Sequence, residues 1–233
     1  MVADHFLVYY VTGFILCLFV YKGGIFTMTS LPNRGANDRL LSPENSVFTF
    51  IDYQPTQINS IGSMKHADLV KHVTLVAKIA NQYHVPIILS TVNVQSGRNQ
   101  DTIPKLKKTI GNDVPSYDRT SINAWEDKDY NDAIKATHRK KIIMLGLWTE
   151  ACLTFPTIDA IAEGYEVYPV IDAVGGTSTI AHETALRRVE QAGAHLITIP
   201  QLICEFQRDW NRTDTVPGFV QDLFEDGAFT QMQ

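Results

Sequence analysis

Three side chains, Cys152, Asp52 and Arg119, have the types and settings to carry covalent chemistry. Cys152 lies in KKIIMLGLWTEACLTFPTIDAIAEG, residues 140–164. That stretch reads as a buried strand over 142–147, a tight turn, and a helix with the cysteine at its start. There the helix N–H groups and the positive end of the helix dipole favour thiolate over thiol, which makes Cys152 a candidate nucleophile. The turn would also present the backbone N–H groups of Trp148 and Cys152 to a substrate carbonyl, as an oxyanion site. Asp52 ends the apolar run SVFTFID, at the sheet edge where open α/β proteins hold their ligands. Arg119 opens a loop, DRTSINAWED from residue 118, and a cation there would hold a thiolate and pair with Asp52. Each has a plainer reading beside this one. A free cysteine is often a small core residue, a carboxylate past a strand can be a cap, and a loop arginine is commonly solvated. Thr149 is the simple choice of helix N-cap, and Pro156 falls early in the helix, where its missing N–H matters least.

Other chemistries find little support. The seven histidines include no pair at metal-ligand spacing with a third ligand. IDYQPTQ, after the first strand, lacks a glycine-rich phosphate loop, and Gly175-Gly176 is too short a signal for a nucleotide site. No cofactor and no metal are expected.

The elements that must position these residues follow from pattern. Continuous apolar runs at 46–52, 85–91, 142–147, 166–172 and 195–199 predict strands buried on both faces. Between them, 67–83 has apolar residues at Leu69, Val70, Val73, Val76, Ala77 and Ala80, the spacing of an amphipathic helix. Further helices are predicted near 104–110, 128–137, 177–193, 201–210 and 216–224, with Ser178 or Thr179 as a cap and Gly193 as a stop. Residues 92–101 and 118–127 read as loops. Alternating strands and helices predict an α/β fold, a three-layer α/β/α sandwich with a mostly parallel sheet.

Composition sets the class. The chain has 233 residues, 45% hydrophobic and 19% charged, enough for one well-packed α/β domain. A net charge of −5 without like-charged blocks disfavours nucleic acid. Three cysteines without a CxxC pair argue against disulfides and zinc and for a reducing compartment, the cytoplasm. The N-terminus departs from this pattern. Residues 6–21, FLVYYVTGFILCLFVY, form an apolar run shorter than the ~20 residues of a usual spanning helix. It reads as a signal or anchor, as an extra packed helix, or as sequence upstream of a true start at Met28. The divisions expected are an apolar extension over 1–27, a polar leader over 28–45 and one α/β domain over 46–233. A membrane partner follows only if 6–21 is an anchor.

Taken together, FTFIDYQ, DRTSINAWED, GLWTEACL and EGYEVYPVIDAVGG resemble the isochorismatase-like cysteine hydrolase superfamily. INAWED, the Thr-Glu before Ala-Cys, and CEFQRDW near the C-terminus resemble its YcaC-type branch. The resemblance covers about residues 46–211. It implies the three-layer fold, a homo-oligomer, a small-molecule substrate, and a triad of aspartate, basic residue and cysteine, here Asp52, Arg119 and Cys152. Many members carry lysine at the basic position, whereas an arginine stays protonated and does not relay a proton. The resemblance further implies a cis peptide at Leu147–Trp148. Trp125, Trp148 and Phe155 are candidates for lining the pocket, and equally for the core. STVNVQSGRN, where the nicotinamidase branch has metal-binding histidines, contains none. The activity implied is hydrolysis of an amide, carbamoyl or related acyl bond through a thioester. The alternatives are a catalytically weak binding protein on the same fold, or an isochorismatase-type vinyl ether hydrolase, which Cys152 argues against.

Overall fold

A computed structural model describes residues 9–11, 14–16 and 37–229. The chain divides into two compact units, Met1–Pro32 and Asn33–Gln233. In the first, β1 (Tyr9–Val11) and β2 (Phe14–Leu16) pair antiparallel, so these residues are extended and not helical. The rest of the apolar run lies outside the described residues. Among the described residues no helix is long and apolar enough to cross a membrane.

The second unit is built on a parallel sheet of β3 (Ser46–Ile51), β4 (Ile87–Val92), β5 (Ser116–Arg119), β6 (Lys141–Gly146) and β7 (Glu166–Pro169), in the order β5-β4-β3-β6-β7. Every residue of β3 and β6 is buried, as their unbroken apolar runs require of strands covered on both faces. The helices are α1 (Pro55–Asn59), α2 (His66–Gln82), α3 (Pro104–Ile110), α4 (Lys128–Ala136), α5 (Thr154–Ala162), α6 (Thr179–Gln191), α7 (Ile199–Gln207) and α8 (Val216–Asp226). They pack as two groups, α2 with α3, α7 and α8, and α5 with α6 and the turn before α4, which makes three layers. Leu69, Val73, Val76, Ala77 and Ala80 form the buried face of α2, as the spacing predicts.

Two strand assignments are corrected. Residues 195–199 do not form a strand. Ile197 makes one isolated bridge to Val170, with His195 N–H donating to Val167 O and Ile197 N–H to Pro169 O, before α7 begins at Ile199. The carboxylate of Asp172 accepts from Ile199 N–H at 3.0 and 3.2 Å and starts that helix, with Pro200 in its first turn. The fifth strand is instead β5, at the other edge. It is short and polar, SYDR, with Arg119 alone fully buried, so its sequence lacks the apolar run that marks its neighbours. Arg119 therefore closes a strand and does not lie in a loop.

The strand order reverses between β3 and β6. In an open α/β sheet the diverging connections leave a crevice at such a switch point, outside the C-terminal strand ends. Asp52 follows β3 and Cys152 follows β6 at that edge.

Candidate active site

Asp52 leaves β3 with φ +62°, in the left-handed region that aspartate tolerates better than most residues. Its N–H donates to Ser90 O at 3.0 Å, and the residue is completely buried. The carboxylate faces Arg119 as a fork on a fork. Nη1 donates to Oδ1 and Nη2 to Oδ2, each at 2.7 Å, and both side chains are essentially excluded from solvent. A charge-assisted, bidentate pair of this kind fixes orientation as well as charge. Because β4 lies between β3 and β5, the arginine reaches across it. Nη1 also donates to Thr91 O at 3.0 Å, and Nη2 to Ile122 O at 3.1 Å. Burial works against the guanidinium, but the hydrogen bonds and charge of Asp52 hold its pKa above the ordinary value. The neighbouring acid, Asp118, turns the other way, as successive strand residues do. Its carboxylate accepts from the Thr91 hydroxyl and from Val94 and Gln95 N–H, and so ties down the loop after β4. Beneath the pair lies fully buried Tyr130, whose hydroxyl shares a 2.8 Å hydrogen bond with Thr49. Neither tyrosine nor threonine carried a sequence signal for this place.

The cysteine is presented by an unusual turn. After β6 the Leu147–Trp148 peptide is cis, at the place the resemblance implies. Residues Thr149–Leu153 then form one π-helical turn that runs into α5. Gly146 makes this possible, since a Cβ there would lie 2.9 Å from Cys152 O and 3.2 Å from Leu153 N. The Thr154 hydroxyl closes the turn on Thr149 O at 2.6 Å. Trp148, and not Thr149, occupies the cap position, without a side-chain hydrogen bond of its own to the turn. The Thr149 hydroxyl is directed instead to His182.

Cys152 is 8% exposed. Burial pushes its thiol well above the usual cysteine range, and the charge and hydrogen bonding of Asp52 push it the same way. Arg119 and the backbone N–H of Trp148 oppose this shift and do not overcome it. The balance runs towards the thiol, opposite in direction to the helix-start effect. The physical reason is that Arg119 is paired at both nitrogens with Asp52, so its charge is offset before it reaches the sulfur. Of the two amides expected at an oxyanion site, that of Trp148 faces the Cys152 sulfur.

The aromatic candidates separate. The Trp148 indole is half-buried, packs on the core and donates to the Ser60 hydroxyl beyond α1. Phe155 is half-buried on the first turn of α5. Trp125 is 6% exposed. Its ring packs edge-on to Tyr165 and Tyr130, and its Nε1 donates to Glu163 at 2.8 Å, past the far end of α5. Of its two readings, pocket lining and core, this packing favours core. Ile122, 63% exposed beside the Arg119 anchor, is the apolar residue at this edge that pattern did not single out. Among the described residues no group of three His, Cys, Asp or Glu side chains is placed to hold a metal.

Known proteins share this fold. The isochorismatase domain family matches residues 46–201. The chain is 33% identical over 171 residues to the probable hydrolase YcaC of Escherichia coli, covering 73% of this chain and 81% of that protein. Its structure is similar to that of Pseudomonas aeruginosa YcaC bound to hexane-2,5-diol and covalent acrylamide, with a TM-score of 0.76, 31% identity, and coverage of 81% and 92% of the two chains. It is also similar to Escherichia coli YcaC, described as an octameric hydrolase of unknown specificity, with a TM-score of 0.72, 29% identity, and coverage of 83% and 98%.

Proposed function

This chain belongs to the isochorismatase family, in its YcaC-type branch, and is a hydrolase; from that premise we propose that it cleaves a small-molecule amide, carbamoyl or related acyl bond with Cys152 as nucleophile. The observation that carries the proposal is the Asp52–Arg119 fork, buried against the Cys152 thiol at the switch point of the sheet.

In the reaction we infer, Asp52 accepts the thiol proton as the sulfur attacks the substrate carbonyl carbon. The carbonyl π pair moves to oxygen, where the N–H groups of Trp148 and Cys152 receive it. As the tetrahedral intermediate collapses, the C–N bond breaks and Asp52 returns the proton to the departing amine. A thioester on Cys152 remains. Water then attacks it, giving its proton to Asp52, and collapse releases the acid and restores the thiol. Arg119 stays protonated throughout, so its part is to aim Asp52 and balance its charge, with no proton relayed. A raised thiol suits this scheme, since deprotonation coincides with attack. No cofactor enters any step.

The octameric assembly of the Escherichia coli relative supports a homo-oligomer here, and free Cys152 and Cys204 suit the cytoplasm. A second reading, a weakly catalytic binding protein, takes its support from arginine standing where many family members carry lysine, since Arg119 relays no proton. The test is a screen of amides and N-carbamoyl compounds, with acrylamide labelling read by mass spectrometry. We expect turnover that disappears in Cys152→Ala and a label on Cys152. Full turnover in Cys152→Ala overturns the proposal, and an absence of turnover with an unreactive Cys152 favours the binding protein.

A further inference from the structure

Thr149 is the first residue of the π turn, and its side chain is fully buried. A buried hydroxyl needs a partner, and this one finds it outside its own element. His182, in the first turn of α6, places Nδ1 2.9 Å from Thr149 Oγ1. Burial lowers the pKa of His182, against the raising charges of Glu150 on the π turn and Glu183 on its own helix. Either partner of this contact can be the donor, according to the tautomer of the ring.

The surroundings leave this pair little freedom. Thr149 N–H donates to Gly175 O at 2.9 Å. Glu150 Oε1 accepts from Thr177 N–H at 3.0 Å and from its hydroxyl at 2.6 Å. Gly176 sits so close that a Cβ would lie 2.7 Å from Glu150 Oε2 and 3.0 Å from His182 N. On its other side, Gly62 and Ser63 N–H donate to Gly176 O at 3.0 and 3.2 Å. The Ser178 hydroxyl caps α6 on Ala181 N–H. The segment 175–178 and the start of α6 thus clasp the π turn from outside.

A π turn is rare and recurs at functional sites. Cys152 is the fourth residue of this one. Whatever fixes Thr149 fixes the direction of the sulfur towards Asp52. We propose that His182 is a positioning residue for the Cys152 nucleophile, acting through its hydrogen bond to the Thr149 hydroxyl. This rests on the reading of Cys152 as the nucleophile. Release of Thr149 swings the thiol away from Asp52 towards solvent. Catalysis then weakens, while the thiol, freed of burial and of the carboxylate, becomes more open to alkylation.

The experiment compares His182→Leu, Thr149→Val, their double variant and His182→Asn in the full chain. Asparagine keeps a hydrogen-bonding atom near the place of Nδ1. Iodoacetamide labelling of Cys152 is followed by mass spectrometry, beside kcat, KM and melting temperature. His182→Leu and Thr149→Val should each speed labelling at pH 7 by at least about twofold, the low end of couplings between contacting groups. Each should lower kcat more than it raises KM. The double variant should match the singles, and His182→Asn should restore both measures. The proposal is overturned if His182→Leu labels and turns over as wild type does, if His182→Asn is equally impaired, or if the single effects multiply in the double variant. Cys152→Ala and Asp52→Asn serve as references: should they turn over normally, the nucleophile reading itself fails, whatever His182 does.

Discussion

Asp52→Asn separates the thiol's resting state from its catalytic activation, because the two should move in opposite directions. In the folded protein the thiol is raised by burial first and by Asp52 next, with Arg119 opposing. Asparagine keeps the shape, removes the negative charge and leaves Arg119 without an offset. A nearby charge commonly moves a neighbouring group by roughly 1–3 pH units, so the thiolate fraction at fixed pH should rise roughly 10- to 1000-fold. Alkylation by iodoacetamide, followed at Cys152 between pH 6 and 9 as set by the unperturbed thiol value of about 8.5, should quicken accordingly. Wild type should show a rate still climbing about tenfold per pH unit at the top of that range, the behaviour of a thiol below its pKa. Turnover should fall about 10²- to 10⁴-fold, the usual contribution of a positioned base. Arg119→Met should do the reverse to the thiol, slowing alkylation. It also leaves a buried carboxylate unpaired, at a cost of about 3–5 kcal/mol, or about 6–20 °C in melting temperature for a unit of this size. The reasoning is refuted if alkylation of Asp52→Asn is unchanged or slower, or if its turnover survives.

Other perturbations test the frame around the site. Gly176→Ala must push back Glu150 or His182, and overpacking of this kind costs about 1–3 kcal/mol; urea unfolding should show it, with slower turnover. Asp222 of α8 is fully buried beside Lys78, 3.0 Å away, and burial raises its carboxyl. A carboxyl raised by folding contributes stability that is present below its unfolded value of about 3.9 and is lost as pH rises through the folded value. Wild type should therefore lose stability relative to Asp222→Asn as pH rises above about 4, read as a shift in urea midpoint. Trp125→Phe removes the hydrogen bond to Glu163 at a net cost of about 1 kcal/mol, and substrate preference should stay unchanged, since the indole packs in the core on Tyr165 and Tyr130.

Much of the frame is legible without coordinates because it is local. Apolar runs mark β3 and β6, the 3.6-residue spacing marks α2, and both reflect which face of one segment must leave water. Cys152 at a strand–turn–helix junction and Asp52 at a strand end are legible for the same reason. β5 was not, because an edge strand this short and polar has no periodicity to read. The π turn was not, because its form depends on the Gly146 backbone lying against Cys152 O.

The sequence by itself determined the α/β class, the central strands and the two residues, Asp52 and Cys152, that sit where those strands end. Tertiary structure decided what they face. Arg119 meets Asp52 across 67 positions of chain because β4 separates β5 from β3 by one strand. His182 meets Thr149 across 33 because α6 packs on the π turn. The upward push on the thiol follows in turn, since burial and the offset of Arg119 by Asp52 are properties of the assembled site. Periodicity records how one segment meets water; strand order and register, which no single segment contains, bring distant polar groups together.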